Sequence, residues 1–149
     1  MDMNRILFWC ESTDLLDLLN NWQPKEFTTE KIASTADLQT SLKKGIPTAM
    51  VLEINNTNCK TMTHCCKVLK KGLPQILCYY ILPKEIDNNL FLQLQKRYVE
   101  KKQEVEILSI SNEIKEVGAA LEFADGCLVR PVALEYLVSI FKSLCLRGR

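Results

Sequence analysis

Three charged side chains stand where apolar runs stop: Glu11 just after Ile6-Leu7-Phe8-Trp9-Cys10, Glu53 at the end of Ala49-Met50-Val51-Leu52, and Arg130 after Gly126-Cys127-Leu128-Val129, with Pro131 following it. Runs of this length read as strands buried on both faces. In an open α/β sheet, sites form beyond the carboxyl ends of the strands, so two acids and a guanidinium at three such ends point to one shared pocket. Other chemistries are poorly supplied. Cys59, His64, Cys65 and Cys66 are four potential zinc ligands close in sequence. However, adjacent helical cysteines point about 100° apart, and the spacing lacks the paired Cys-x₂₋₄-Cys pattern of structural zinc sites. His64 is the sole histidine and has no Ser or Asp partner at a recognisable spacing, which disfavours a triad. Cys10-Glu11-Ser12-Thr13-Asp14 contains no glycine, so no phosphate-cradling loop follows the first strand.

The elements that must position those residues alternate along the chain. Ser12 or Thr13 caps a helix with Leu15, Leu16, Leu18, Leu19 and Trp22 on one side, ended by Pro24. Residues 27 to 33 form a more polar strand, placed at an edge. Thr35 caps a short helix carrying Leu38 and Leu42, which Gly45 terminates. After the 49–54 strand, Met62, Cys65, Cys66 and Leu69 mark a helix closed by Gly72. Residues 75 to 82 are a fourth strand, and Ile86, Leu90, Leu94 and Tyr98 mark a long helix with a charged tail. Residues 105 to 110 alternate as another strand, Ile114, Val117 and Leu121 give a helix, and residues 126 to 130 make the last strand. Ala133, Leu137, Ile140, Phe141 and Leu144 line the final helix. The expected architecture is a doubly wound, mostly parallel sheet of five to six strands with helices on both faces, flavodoxin-like, in one domain spanning 1–149.

Composition narrows the function. The chain has 149 residues, 47% of them hydrophobic and 25% charged, an ordinary globular balance. A formal net charge of +1 supplies no field that would recruit nucleic acid or an anionic membrane. No apolar run nears the roughly 20 residues a spanning helix needs, and no signal peptide is evident. A cytoplasmic protein is expected, its seven cysteines reduced.

Taken together, these residues resemble the receiver domain of two-component response regulators, across most of the chain. The segment Ala124-Asp125-Gly126-Cys127-Leu128-Val129-Arg130-Pro131 is the strongest local match. In that family an acidic pair after the first strand and an aspartate ending the third hold Mg²⁺. A Ser or Thr ends the fourth strand, and a Lys-Pro pair, usually cis, ends the fifth. By resemblance, the receiver-pocket positions here are Cys10 and Glu11 for the acidic pair, Glu53 for the phosphoacceptor, and Arg130-Pro131 for Lys-Pro. Tyr79 or Ser109 takes the Ser/Thr position. Ser109 stands 21 residues before Arg130, close to the family interval, whereas Tyr79 follows the Gly72-Leu73-Pro74 lead-in. Either way an extra strand-helix unit is added within about 75–110.

The departures from the family pattern carry chemistry. A cysteine is a soft donor ill-suited to Mg²⁺. Glutamate is one methylene too long for the phosphoacceptor position, and phosphoryl transfer depends on positioning. Arginine keeps the charge of lysine but not its shape, and a bidentate contact with Glu53 would make a permanent ion pair. The expectation is a pseudo-receiver: not an enzyme, without catalytic residues, metal or cofactor. It would be a phosphorylation-independent signalling module that binds a protein partner through the last strand and last helix, or forms a homodimer there. The face would be built from residues 114–123, 127–130 and 132–146. The alternatives are a residual Mg²⁺-dependent receiver using Asp14, a flavodoxin-like cofactor binder stacking a ring on Trp9, Tyr79 or Tyr80, and a redox sensor using Cys10 or Cys65-Cys66.

Overall fold

The computed structural model describes residues 4–21, 27–55, 57–101 and 111–147. Five parallel strands lie in the order β2-β1-β3-β4-β5: β1 (Asn4–Trp9), β2 (Phe27–Lys31), β3 (Ala49–Glu53), β4 (Leu77–Ile81) and β5 (Gly126–Leu128). Helices α1 (Thr13–Asn20), α2 (Thr35–Lys43) and α3 (Cys59–Gly72) follow the first three strands in turn. The polar strand β2 does sit at an edge. The expected strand over 105–110, together with Ser109, Trp22 and Pro24, lies outside the described residues. Among the described residues two helices join β4 to β5: α4 (Asn88–Leu94), which runs on as a π turn (Gln95–Val99), and α5 (Asn112–Ala120), which ends in a 3₁₀ turn (Leu121–Phe123). The final helix is α6 (Leu134–Arg147).

Strand alternation splits the core into two layers. Leu7, Trp9, Met50, Leu52, Cys78 and Tyr80 face one side, under Leu38 of α2, Met62 and Cys66 of α3, Leu94 of α4 and Val117 of α5. Ile6, Phe8, Ala49, Val51, Ile81 and Leu128 face the other, under Leu15 and Leu19 of α1 and Leu137 and Phe141 of α6. This double coverage is why β1 and β3 read as unbroken apolar runs.

Local chemistry sets the boundaries of the helices. Ser34, rather than the expected Thr35, caps α2. Its hydroxyl accepts the Asp37 amide at 3.1 Å while Asp37 accepts the Ala33 amide at 2.9 Å, a reciprocal box. Past the helix, Gly45 has φ +143°, a conformation that favours glycine and ends α2 as expected. Asp87 caps α4 and Ser111 caps α5 by accepting the amides of Leu90 and Ile114. The helix expected through Ile86–Tyr98 runs without a break from Asn88 to Val99, changing to π winding at Gln95. Its π turn brings the Tyr98 ring to Gly118, where even a Cβ would stand 2.7 Å from the ring carbons. At the amino end of β1, Arg5 Nη2 donates to the Ser41 carbonyl (2.7 Å), the Ser41 hydroxyl (3.1 Å) and the Gly45 carbonyl (2.9 Å). Its Nε lies 3.4 Å from Glu30, which also accepts the Ser41 hydroxyl at 3.0 Å.

Candidate functional site

The strand order reverses direction between β1 and β3, which opens a crevice at their carboxyl ends. Glu53, the last residue of β3, sits there with only 3% of its side chain exposed. A buried carboxylate needs donors on every side, and this one has four. Its Oε1 accepts the backbone amides of Glu11 (2.6 Å) and Ser12 (2.8 Å), and its Oε2 accepts the Ser12 hydroxyl and Arg130 Nη2. The strand end itself is pinned, because Asn58 Nδ2 donates to the Glu53 carbonyl at 2.9 Å.

Arg130 divides its fork instead of offering both arms to Glu53. Nε donates to the Leu82 carbonyl at 3.0 Å, Nη2 binds Glu53, and Nη1 lies 3.5 Å from Asp14. The bidentate contact expected from its geometry is therefore not what the guanidinium makes. Its side chain is 11% exposed, against 66% for Asp14, so the Glu53 pair is the interior one and Asp14 a rim contact. The Arg130-Pro131 peptide is cis.

Burial alone would raise the Glu53 carboxyl. The Ser12 hydroxyl, the Ser12 and Glu11 amides and Arg130 outweigh it and hold the carboxyl below its ordinary range. Cys10 goes the other way. Burial, then the negative charges of Glu53 and Asp14, push its thiol up to about 12 against the opposing pull of Arg130. It is a protonated core side chain, packed with Phe8, Leu15 and Val51.

Of the residues singled out from sequence, Glu53 and Arg130 meet directly. Glu11 joins through its backbone amide, while its carboxylate stands at the surface. Tyr79 lies in the middle of β4, opposite Gly126 and Val51. Its ring packs edge-on against Phe141 at 6.3 Å and over Gly126, on the side of α6, so it is a core residue and not a pocket residue. Trp9 and Tyr80 are likewise core residues rather than a stacking platform. Among the described residues no three His, Cys, Asp or Glu side chains converge as a cation site, and Cys66 faces the core while His64 borders a surface groove.

Sequence reasoning missed Ser12 and the Leu82 carbonyl. Ser12 does occupy the cap position of α1, but its side chain makes no cap bond; the hydroxyl is turned to Glu53 instead. A serine three residues past the end of a buried strand, and two before Asp14, was the available signal. Above the ion pair lies a cleft of about 330 Å³ lined by Ser12, Glu53, Asn55, Lys84, Ser111 and Arg130, with Ile54, Pro83, Ile114 and Val117 as its apolar part. The donors nearest its base are already spent on Glu53.

The chain matches no protein-family model, and no curated protein is similar to it in sequence. Among solved structures it is similar to a CheY-like protein, TadZ, from Pseudomonas aeruginosa PAO1. The TM-score is 0.63 at 14% identity, over 95% of this chain and 98% of that one. The likeness shows a CheY-like, flavodoxin-like fold, which the strand order independently displays.

Proposed function

We propose that this chain is a receiver-type signalling module that works without phosphorylation, by presenting a fixed surface to a protein partner. The observation that carries the reading is the saturation of Glu53: two amides, one hydroxyl and one guanidinium already surround its oxygens. An acid whose lone pairs are filled by intramolecular donors has little left for a cation or an incoming phosphoryl group. The protonated Cys10 thiol offers no hard oxygen in its place. The pocket is thereby set in one state.

The surface expected to dock a partner, or a second copy, is built by α5, β5 and α6. Tyr136 is 56% exposed there, beside the half-buried Val132 and Ile140. An aromatic ring on a partly apolar helix face is the kind of anchor interfaces favour. The test is incubation of the protein with a small-molecule phosphodonor and Mg²⁺, followed by intact mass and tryptophan fluorescence. No change in either is the expected outcome. A stoichiometric gain of one phosphate would overturn the proposal, and its location on Asp14 or Glu53 would establish the chain as a residual receiver.

A further inference from the structure

The cleft above the Glu53–Arg130 pair has a closed base and an unfinished rim. At the base the two charges offset each other, and Arg130 Nη1 has Asp14 beside it at 3.5 Å. On the rim, Lys84, Glu85 and Glu113 line the opening, and none of them forms an ion pair with a described residue. All three are exposed, and exposed charges alone are commonly just solvated. Asn55, just past β3, is a different kind of group. Its Oδ1 accepts the Thr57 amide (2.9 Å), the Thr57 hydroxyl (2.6 Å) and the Asn58 amide (2.8 Å). Three donors on one oxygen settle which end of the amide is which and hold its plane. Nδ2 is left as a rigid donor that bonds to none of the described residues, on a half-buried side chain lining the cleft. A donor fixed in advance loses little freedom when a ligand takes it.

The walls between these polar groups are apolar. Ile54 and Val117 are buried core residues that show one edge to the cleft, joined by the half-buried Pro83 and Ile114. At about 330 Å³ the cleft is roughly double the cavity of ~150 Å³ that takes up a benzene ring. A branched or aromatic side chain and a small head group fit there together. An apolar cleft with a few convergent polar groups is the usual form of a small-molecule site.

We infer that the cleft binds a small zwitterion with an apolar side chain, a free α-amino acid of the leucine kind. Its carboxylate takes Lys84 and Asn55 Nδ2, its ammonium takes Glu113 or Glu85, and its side chain lies on Ile54, Pro83, Ile114 and Val117. Other small ligands answer only part of this lining. A phosphate or nucleotide brings two or more negative charges to a rim with one lysine and two unpaired acids, and like charges repel. A plain carboxylate leaves both acids unanswered, and a plain amine leaves Lys84 and Asn55 so. Only a molecule that carries both signs beside an apolar body meets every group.

Amino-acid binding rests on Glu53 being closed by its own donors, and not on the α5-β5-α6 surface. It is measured on chains never exposed to a phosphodonor, so its failure is distinct from a failure of the proposed function. Leucine is titrated into the whole chain with its methyl groups labelled, and their NMR shifts are followed. Expected is a saturable movement of Ile54, Ile114 and Val117, while Leu15 and Leu137 in the other core layer stay in place. Isocaproate, which lacks the ammonium, and isoamylamine, which lacks the carboxylate, each bind about tenfold more weakly, the worth of one hydrogen bond to a charged group. Alanine, which lacks the apolar body, loses at least about tenfold as well. Asn55→Asp keeps the oxygen that Thr57 and Asn58 need but sets a negative atom where Nδ2 stood, and Lys84→Gln removes an exposed charge. Both are expected to weaken leucine by a similar factor. Wild-type methyls that do not move, or isocaproate binding as tightly as leucine, overturn the inference without recourse to any variant. Full leucine affinity in Lys84→Gln overturns it too.

Discussion

An arginine, a glutamate and a serine meet twice in this molecule, at opposite ends of β1. At the amino end, Arg5, Glu30 and Ser41 join β1, β2 and α2, and the guanidinium is satisfied mostly by carbonyls and a hydroxyl. At the carboxyl end, Ser12, Glu53 and Arg130 join the loops after β1 and β5 to β3, and there the acid is the member enclosed by donors. The first cluster fastens consecutive elements, with partners at most 40 positions apart. The second gathers residues up to 118 positions apart at the mouth of a cleft. Residue types do not define a site; their position at the reversal of strand order does, because that is where backbone donors of one strand end turn toward the side chain of another.

Four measurements separate the two clusters. Glu53→Ala strands a buried guanidinium and three other donors, and is expected to cost about 3 kcal/mol or more in urea unfolding. A loss no greater than that of a surface substitution would show that the carboxyl-end cluster is not an interior one. Arg5→Ala removes a donor shared by the buried Ser41 and the exposed Gly45 carbonyl, which water can reach, so the expected loss is about 2 kcal/mol. An Arg5 effect exceeding that of Glu53 would reverse the ranking of the two ends.

The next effect is a dependence on pH. Glu53 is held below its ordinary value of 4.5 in the fold. The unfolded chain therefore takes up that proton first as pH falls. The stabilisation is complete above 4.5 and is lost on the way down through the lower native value. Urea midpoints measured from neutral pH to below 4.5 should fall less steeply in Glu53→Gln than in the wild type; parallel curves would contradict the assignment. Smallest is Lys44→Ala, which removes a 3.6 Å contact to Glu30 from an exposed side chain. A change within about 0.5 kcal/mol is expected, and a larger one would mean that the amino-end cluster depends on its rim.

The sheet was readable because burial on both faces leaves no room for polar residues in β1 and β3. Glu53 and Arg130 stood out for the same reason, as the first charges after such runs. The placement of Tyr79 was not readable. Its ring occupies space that Gly126, on the neighbouring strand, leaves open, and only the β4–β5 register brings the two together. The role of Ser12 was hidden by propensity: a serine before a helix is normally a cap, and here a long-range carboxylate competes for the hydroxyl and wins. The shift of the α2 cap from Thr35 to Ser34 is a smaller case, in which both residues suit the position and the Asp37 box selects one.

Gly118 gives the segment between β4 and β5 a mechanical meaning. One side of α5 walls the cleft through Glu113, Ile114 and Val117, and the other lies flat beneath the Tyr98 ring and Leu94. The helix running from Asn88 to Val99 is thus a buttress bearing directly on that wall. Lys101 adds a second tie at 3.0 Å to Glu122, just past the end of α5, so the wall of the crevice is braced at both a ring and an ion pair.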